Sequence, residues 1–115
     1  MASWQDVVEI GFRFPEVQES TWFDTPSPKV GKKGSMCRLR TEPDALVLRV
    51  RDMGEREALL QGEPQAFVIT PHYDRYPYVL VRLDAVDPVE LAELIEDAWR
   101  VKAPKRLVAA YDARP

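Results

Sequence analysis

The chain has 115 residues, enough for one hydrophobic core and too few for two. Its hydrophobic fraction of 45% and charged fraction of 30% exclude a disordered composition, and no apolar run approaches the ~18 residues of a membrane span. The net charge of −3 argues against a uniformly basic surface, and one cysteine (Cys37) with one histidine (His72) excludes an internal disulfide and a nitrogen/sulfur zinc site.

In chain order, Ser3 is an N-cap, and Trp4, Val7, Val8 and Phe12 recur at helical spacing until Pro15 closes the segment. This N-terminus has acids where a secretory leader would be basic and lacks an apolar core, which predicts a cytosolic, reducing environment. Residues 19–51 change to a period of two. The runs STWF, PKVG, SMCRLR and ALVLRV are separated by the turn-formers TPSP, GKKG and TEPD, which predicts an antiparallel meander. Asp52 and Glu55 cap a short helix that Gly62 stops. FVIT and YVLVRL are two further strands on either side of the loop TPHYDRYP. Asp87-Pro88-Val89-Glu90 combines a cap, a proline at the first turn and an acid at the third position, with Leu91, Leu94, Ile95, Ala98 and Trp99 as the apolar stripe that follows. Pro104 breaks that helix and starts a last one, with Leu107, Val108 and Tyr111 inward. The order α-β-β-β-β-α-β-β-α-α predicts a single α+β domain over 1–115. It is an antiparallel sheet of about six strands with helices packed on one face.

Alternation along the strands assigns the two faces. Cys37 and Leu39, then Leu46, Leu48 and Val50, then Val79, Val81 and Leu83 form all-apolar faces that meet the helices. The other face carries Arg38, Arg40, Arg49, Arg51 and Arg82 beside Tyr78. Guanidinium forks bind phosphate in a bidentate way and stack on rings, although the same residues also solubilise an exposed sheet and blunt its edges. Charge along the chain is segregated in the same sense. Residues 29–51 hold seven bases and two acids, whereas 52–98 hold eleven acids and three bases.

The stretches TPSPKVGKK, TPHYDRYPYVLVRL and AWRVKAPKRLVAAYD resemble the signature stretches of the MmcQ/YjbR proteins, in the family's order and across roughly Ser3 to Asp112. The resemblance implies a fold similar to that of the frataxin homologue CyaY and a DNA-binding role through a double-wing arrangement of hairpins, with no enzyme chemistry attached. The family has an aromatic where this chain has Pro28, so this strand is expected at a sheet edge or to start later.

Three surfaces remain as candidates. Gly31 to Ser35 lack the spacing of a phosphate loop and read as a hairpin turn, whose Lys32 and Lys33, with Lys29, reach a phosphate backbone as a wing tip would. His72, Tyr73, Arg75, Tyr76 and Tyr78 interleave aromatics with cations, which suits base stacking; a turn whose tyrosines roof the core is the alternative. No serine or cysteine motif completes a triad with His72 and Asp74. Lys105 and Arg106, in the first turn of the last helix, form an anion site or pair with Glu96 or Asp97. Asp6, Glu9, Glu16 and Glu19 make too sparse a ridge for a metal, and Glu90, Glu93 and Asp97 are a solvated helix face. The sequence therefore predicts a bacterial cytoplasmic module without enzymatic activity, cofactor or metal. It would bind DNA or single-stranded nucleic acid weakly through the backbone; the alternative is a protein- or small-anion-binding module with no DNA role.

Overall fold

The computed structural model describes residues 2–22, 25–31, 34–41 and 44–114; the side chains of Trp22, Arg40, Thr41, Asp44 and His72 also lie outside the description. Helix α1 spans Trp4–Gly11. Ser3 caps it reciprocally with Asp6: each backbone N–H donates to the other's side chain, at 2.9 Å to Asp6 Oδ2 and 3.3 Å to Ser3 Oγ. Five two-residue strands follow, β1 (Val17–Gln18), β2 (Thr21–Trp22), β3 (Thr25–Pro26), β4 (Lys29–Val30) and β5 (Gly34–Ser35). The longer strands β6 (Cys37–Thr41) and β7 (Asp44–Arg49) lead into α2 (Met53–Gly62), then β8 (Phe67–Val68), β9 (Tyr78–Arg82), α3 (Pro88–Lys102) and α4 (Lys105–Ala113).

Among the described residues the strands divide among three antiparallel sheets rather than the single six-stranded sheet expected. The orders are β1-β4-β5, β2-β3 and β6-β7-β9-β8. Met36 separates β5 from β6 within the run read as one strand, and β4 begins at Lys29, one residue past Pro28, which is itself buried. Strands β4 and β5 pair antiparallel with Val30 opposite Gly34. Only glycine fits at position 34, because a β-carbon would lie 2.5 Å from the Val30 carbonyl oxygen and 3.2 Å from that of Lys102.

The main core lies between the four-stranded sheet and the helices. Leu46, Leu48, Val50, Val79 and Val81 meet Val7, Leu91, Ile95, Ala98 and Trp99, buried as the strand and helix periods predict, together with Ile10. Trp99 stacks on Phe14 at 5.5 Å, lies 5.1 Å from the Tyr111 ring and donates Nε1–H to the Pro15 carbonyl at 3.1 Å. Beside it, Ser27 Oγ donates to the Cys37 carbonyl at 2.6 Å and lies 2.6 Å from Ser35 Oγ, so two buried hydroxyls satisfy each other. Helix α1 departs from its predicted stripe. Val7, Ile10 and Gly11 face the core, whereas Phe12 is 43% exposed just past the helix end. Trp4, Val8 and Phe12 instead line a groove of ≈ 410 Å³ against Pro26, Ser27 and Pro28, with Glu19 on its rim.

Candidate nucleic-acid interface

The second face of the four-stranded sheet is built from three cross-strand rows. Arg40, Ala45 and Arg82 form one; Arg38, Val47, Leu80 and Val68 form the next; Arg49 and Tyr78 form the third. The sequence assigned arginines to this face and read the adjacent loop either as a stacking platform or as a turn whose tyrosines roof the core. Ala45, Val47 and Leu80 are buried with Tyr73 in a second hydrophobic cluster, against which Val68 and Tyr78 pack, so Tyr73 follows the second of these readings. The cover is the TPHYDRYP loop. A short 3-10 turn, Pro71–Tyr73, turns the chain back over the sheet and lays the Tyr73 ring, 4% exposed, on this floor.

Polar contacts hold the loop from both sides. Arg38 donates to the Tyr73 hydroxyl from Nε at 3.2 Å and Nη2 at 3.1 Å, and to Thr25 Oγ1 at 3.3 Å. From α2, Arg56 is 5% exposed and directs Nη1 at the carbonyls of Tyr73 (3.2 Å), Asp74 (2.9 Å) and Tyr76 (3.2 Å), while Nη2 reaches Glu57 at 2.9 Å. Arg56 is the buried residue of α2, a position that most helices give to an apolar side chain. Its Nε and the Thr70 hydroxyl are buried without a hydrogen-bond partner.

Tyr73 is therefore a structural cover and not a margin residue, because its ring fills the space above Val47 and Leu80. Tyr76 stands 57% exposed, and Tyr78 is half-buried with its ring 5.5 Å from that of Tyr73. The expected neighbour of Tyr78 was Arg82; the register instead sets Arg49 opposite it, with the guanidinium carbon 5.9 Å from the ring centroid. Arg49 Nε donates to the Val50 carbonyl at 2.8 Å, which fixes the side chain over the ring. Arg75 and Arg82 are exposed. Arg51 leaves the row, since the chain bends after β7 and its guanidinium pairs with Glu55 in the first turn of α2.

The other candidates lie elsewhere. Half-buried Lys29 belongs to the three-stranded sheet. Lys32 and Lys33, and the side chains of Arg40 and His72, lie outside the described residues. Lys105 and Arg106 are exposed on α4, whose Leu107 packs into the main core on the opposite side of the sheet. Arg106 contacts Glu16 at 3.5 Å, not Glu96 or Asp97; Glu96 is engaged by Arg100, which also forks onto Asp112. Of the predicted basic surface, Arg49 stands over Tyr78, Arg75 is exposed next to Tyr76 in the loop, Arg82 is exposed at the far end of β9, and Arg38 holds the Tyr73 hydroxyl.

Two electrostatic features frame this site. Burial pushes the Cys37 thiol up to about 12, so it is not a nucleophile. Along the seam between α2 and α3, Glu90 is not the simple solvated acid expected. Burial, then hydrogen bonding to Glu63 and the nearby charges, raise it to about 7. Burial and the Glu55 carboxylate likewise raise Asp97, with Arg51 acting in the other direction.

A layer of helices on one face of an antiparallel sheet, and a loop folded over the other, define a small α+β protein. The crystal structure of the Deinococcus radiodurans protein DR2400, a DUF419 domain, has the same fold. It superposes with a TM-score of 0.75 at 24% identity, covering 99% of this chain and 91% of that one. The YjbR family pattern matches residues 12–101, and the chain belongs to the YjbR family. The uncharacterized proteins Rv2570 of Mycobacterium tuberculosis and Mb2600 of Mycobacterium bovis are each 37% identical to it, over 96% of this chain and 96% of their own. Among the described residues, no helix is long and apolar enough to cross a membrane.

Proposed function

We propose that the protein is a bacterial cytoplasmic nucleic-acid-binding module without catalytic activity, directed at the phosphate backbone and favouring single strands. The observation that carries this reading is the guanidinium of Arg49 over the Tyr78 ring, with the Tyr76 ring exposed two residues before it in the loop. Cations on this patch neutralise phosphates, and an open tyrosine face offers about 1–3 kcal/mol to a stacked base. A duplex hides its base faces and would use only the cations. Because the whole chain is acidic, affinity falls in the non-specific range of ~10⁻⁴–10⁻⁶ M. Fluorescence anisotropy with a labelled single strand and the matching duplex tests it: Tyr76→Ala should weaken the single-strand complex and leave the duplex complex unchanged. Equal losses on both, or none on either, would refute the stacking role.

A second reading is a protein-binding module without a DNA role, favoured by the α1 groove lined by Trp4, Val8 and Phe12. Phe12→Ser would then impair partner binding while sparing nucleic-acid affinity.

A further inference from the structure

The loop over the second sheet face is fastened in a way that suits release. Its apolar anchor is the Tyr73 ring; its polar attachments include hydrogen bonds from Arg38, from Arg56 of α2 and, at the loop's end, from the Val50 N–H to the Pro77 carbonyl at 2.9 Å. Among the described residues, the buried side-chain polar atoms without partners, Arg56 Nε and Thr70 Oγ1, belong to the residue that reaches into this loop and to the residue that precedes its 3-10 turn. Each would recover a hydrogen bond if water entered, so the closed seam carries a desolvation cost that opening relieves.

What lies beneath is chemically distinct from the main core. The floor of Ala45, Val47 and Leu80 is apolar, and the Arg38 fork at its edge points at the Tyr73 hydroxyl. A planar apolar seat beside a guanidinium is the arrangement that holds a nucleobase and its phosphate. In the closed form Tyr73 occupies both places, with its ring on the seat and its oxygen at the fork. Tyr73 thereby stands in for the ligand.

We propose that residues 70–77 and α2 open together as one strap, and that the face they uncover is a masked binding surface for single-stranded nucleic acid. This inference rests on the nucleic-acid reading above and adds a gate to it. Arg56 makes the two segments one unit, because its guanidinium holds the loop carbonyls while its backbone belongs to the helix. Binding to this uncovered face draws only on the open fraction, so whatever loosens the strap tightens that mode of binding by the same factor.

Hydrogen exchange read by mass spectrometry on the full chain tests the gate, and anisotropy with a 12-residue oligothymidylate tests the ligand. In the wild type, amides of 53–62 and 70–77 should exchange at a common rate, faster than those of β6, β7 and β9. Arg56→Lys disturbs the clamp, and Tyr73→Phe removes only the hydroxyl. Each should accelerate both segments by about tenfold, leave the sheet amides the slowest to exchange and tighten oligothymidylate binding by a similar factor. Exchange of 70–77 at the rate of β9, or acceleration of one segment without the other, overturns the gate. Faster exchange with no gain in affinity overturns the masked surface. If wild type and both variants all fail to bind, the nucleic-acid reading falls and takes the named ligand with it, whereas a failed exchange pattern condemns the gate alone.

Discussion

Truncating Tyr73 separates a cover from a binding surface. The ring is 4% exposed and closes a cluster of Ala45, Val47 and Leu80, each also buried. Tyr73→Ala removes the whole ring from a packed site and leaves a cavity roofed by the backbone of the 70–77 loop, for which buried aromatic truncations typically cost about 3–5 kcal/mol. The hydroxyl is a smaller part. Arg38, half-buried, can exchange its bonds to that oxygen for water, so Tyr73→Phe should cost about 0.5–1.5 kcal/mol. Tyr76, three residues on and 57% exposed, sets the baseline; its truncation should change stability by no more than about 0.5 kcal/mol. Urea unfolding followed by tryptophan fluorescence, with the slope of each transition checked against wild type, measures all three. A cost for Tyr73→Ala indistinguishable from that of Tyr76→Ala would refute the buried cover.

Glu90 ties stability to pH. Its folded value of about 7 lies above the ordinary 4.5, so the folded state holds the extra proton in that window and this group's contribution declines as pH rises from about 4.5 through 7. Glu90→Gln should therefore be stabilising at pH 8, on the order of 1 kcal/mol after solvent screening, and lose that advantage by pH 5; a difference that does not vary with pH would contradict the Glu63–Glu90 contact. Gly34→Ala forces a β-carbon to within 2.5 Å of the Val30 carbonyl oxygen and should lower stability by about 1–3 kcal/mol in thermal melts, whereas Gly62→Ala, with nothing within 4 Å, should be near neutral. Cys37, fully buried with its thiol raised to about 12, should resist a thiol-reactive disulfide reagent until denaturant is added, and rapid labelling of the native protein would contradict its burial.

Helix caps and apolar stripes carried the helical layer into view from sequence. Asp52 and Asp87 each accept the backbone N–H three residues on at 2.8 Å, and the stripe from Leu91 to Trp99 is buried as its spacing requires. Alternation also assigned the two faces of β6, β7 and β9, but it could not show what covers the second one. That depends on a loop whose path is set by Arg56, and an arginine buried against carbonyl oxygens leaves no mark in hydrophobic periodicity. The available signal was α2 itself, MGEREALLQG, whose narrow apolar stripe leaves Leu59 and Leu60 to pack against the core and leaves its first turns to be seated by polar contacts. Arg51 was lost from the predicted row for a related reason. Period-two reasoning ends where the strand ends, and an acid four residues on, Glu55, captured the side chain. Among the short strands, two-residue ladders at β1 to β5 are too brief for any period to register.

The salt dependence of binding bears most directly on the claim that Arg49 and Arg82 meet phosphate. Each cation that neutralises a single-strand phosphate contributes about −0.7 to the slope of log K against log salt concentration. Wild type and Arg49→Glu/Arg82→Glu should be titrated with one labelled oligothymidylate across a series of sodium chloride concentrations; Arg38 is left intact because its change would also unseat Tyr73. Wild type should show a steep slope, flattened by about 1.4 or more in the variant, with weaker binding at low salt and a cooperative melt that shows the variant still folded. A folded variant with the affinity and slope of wild type would contradict that claim.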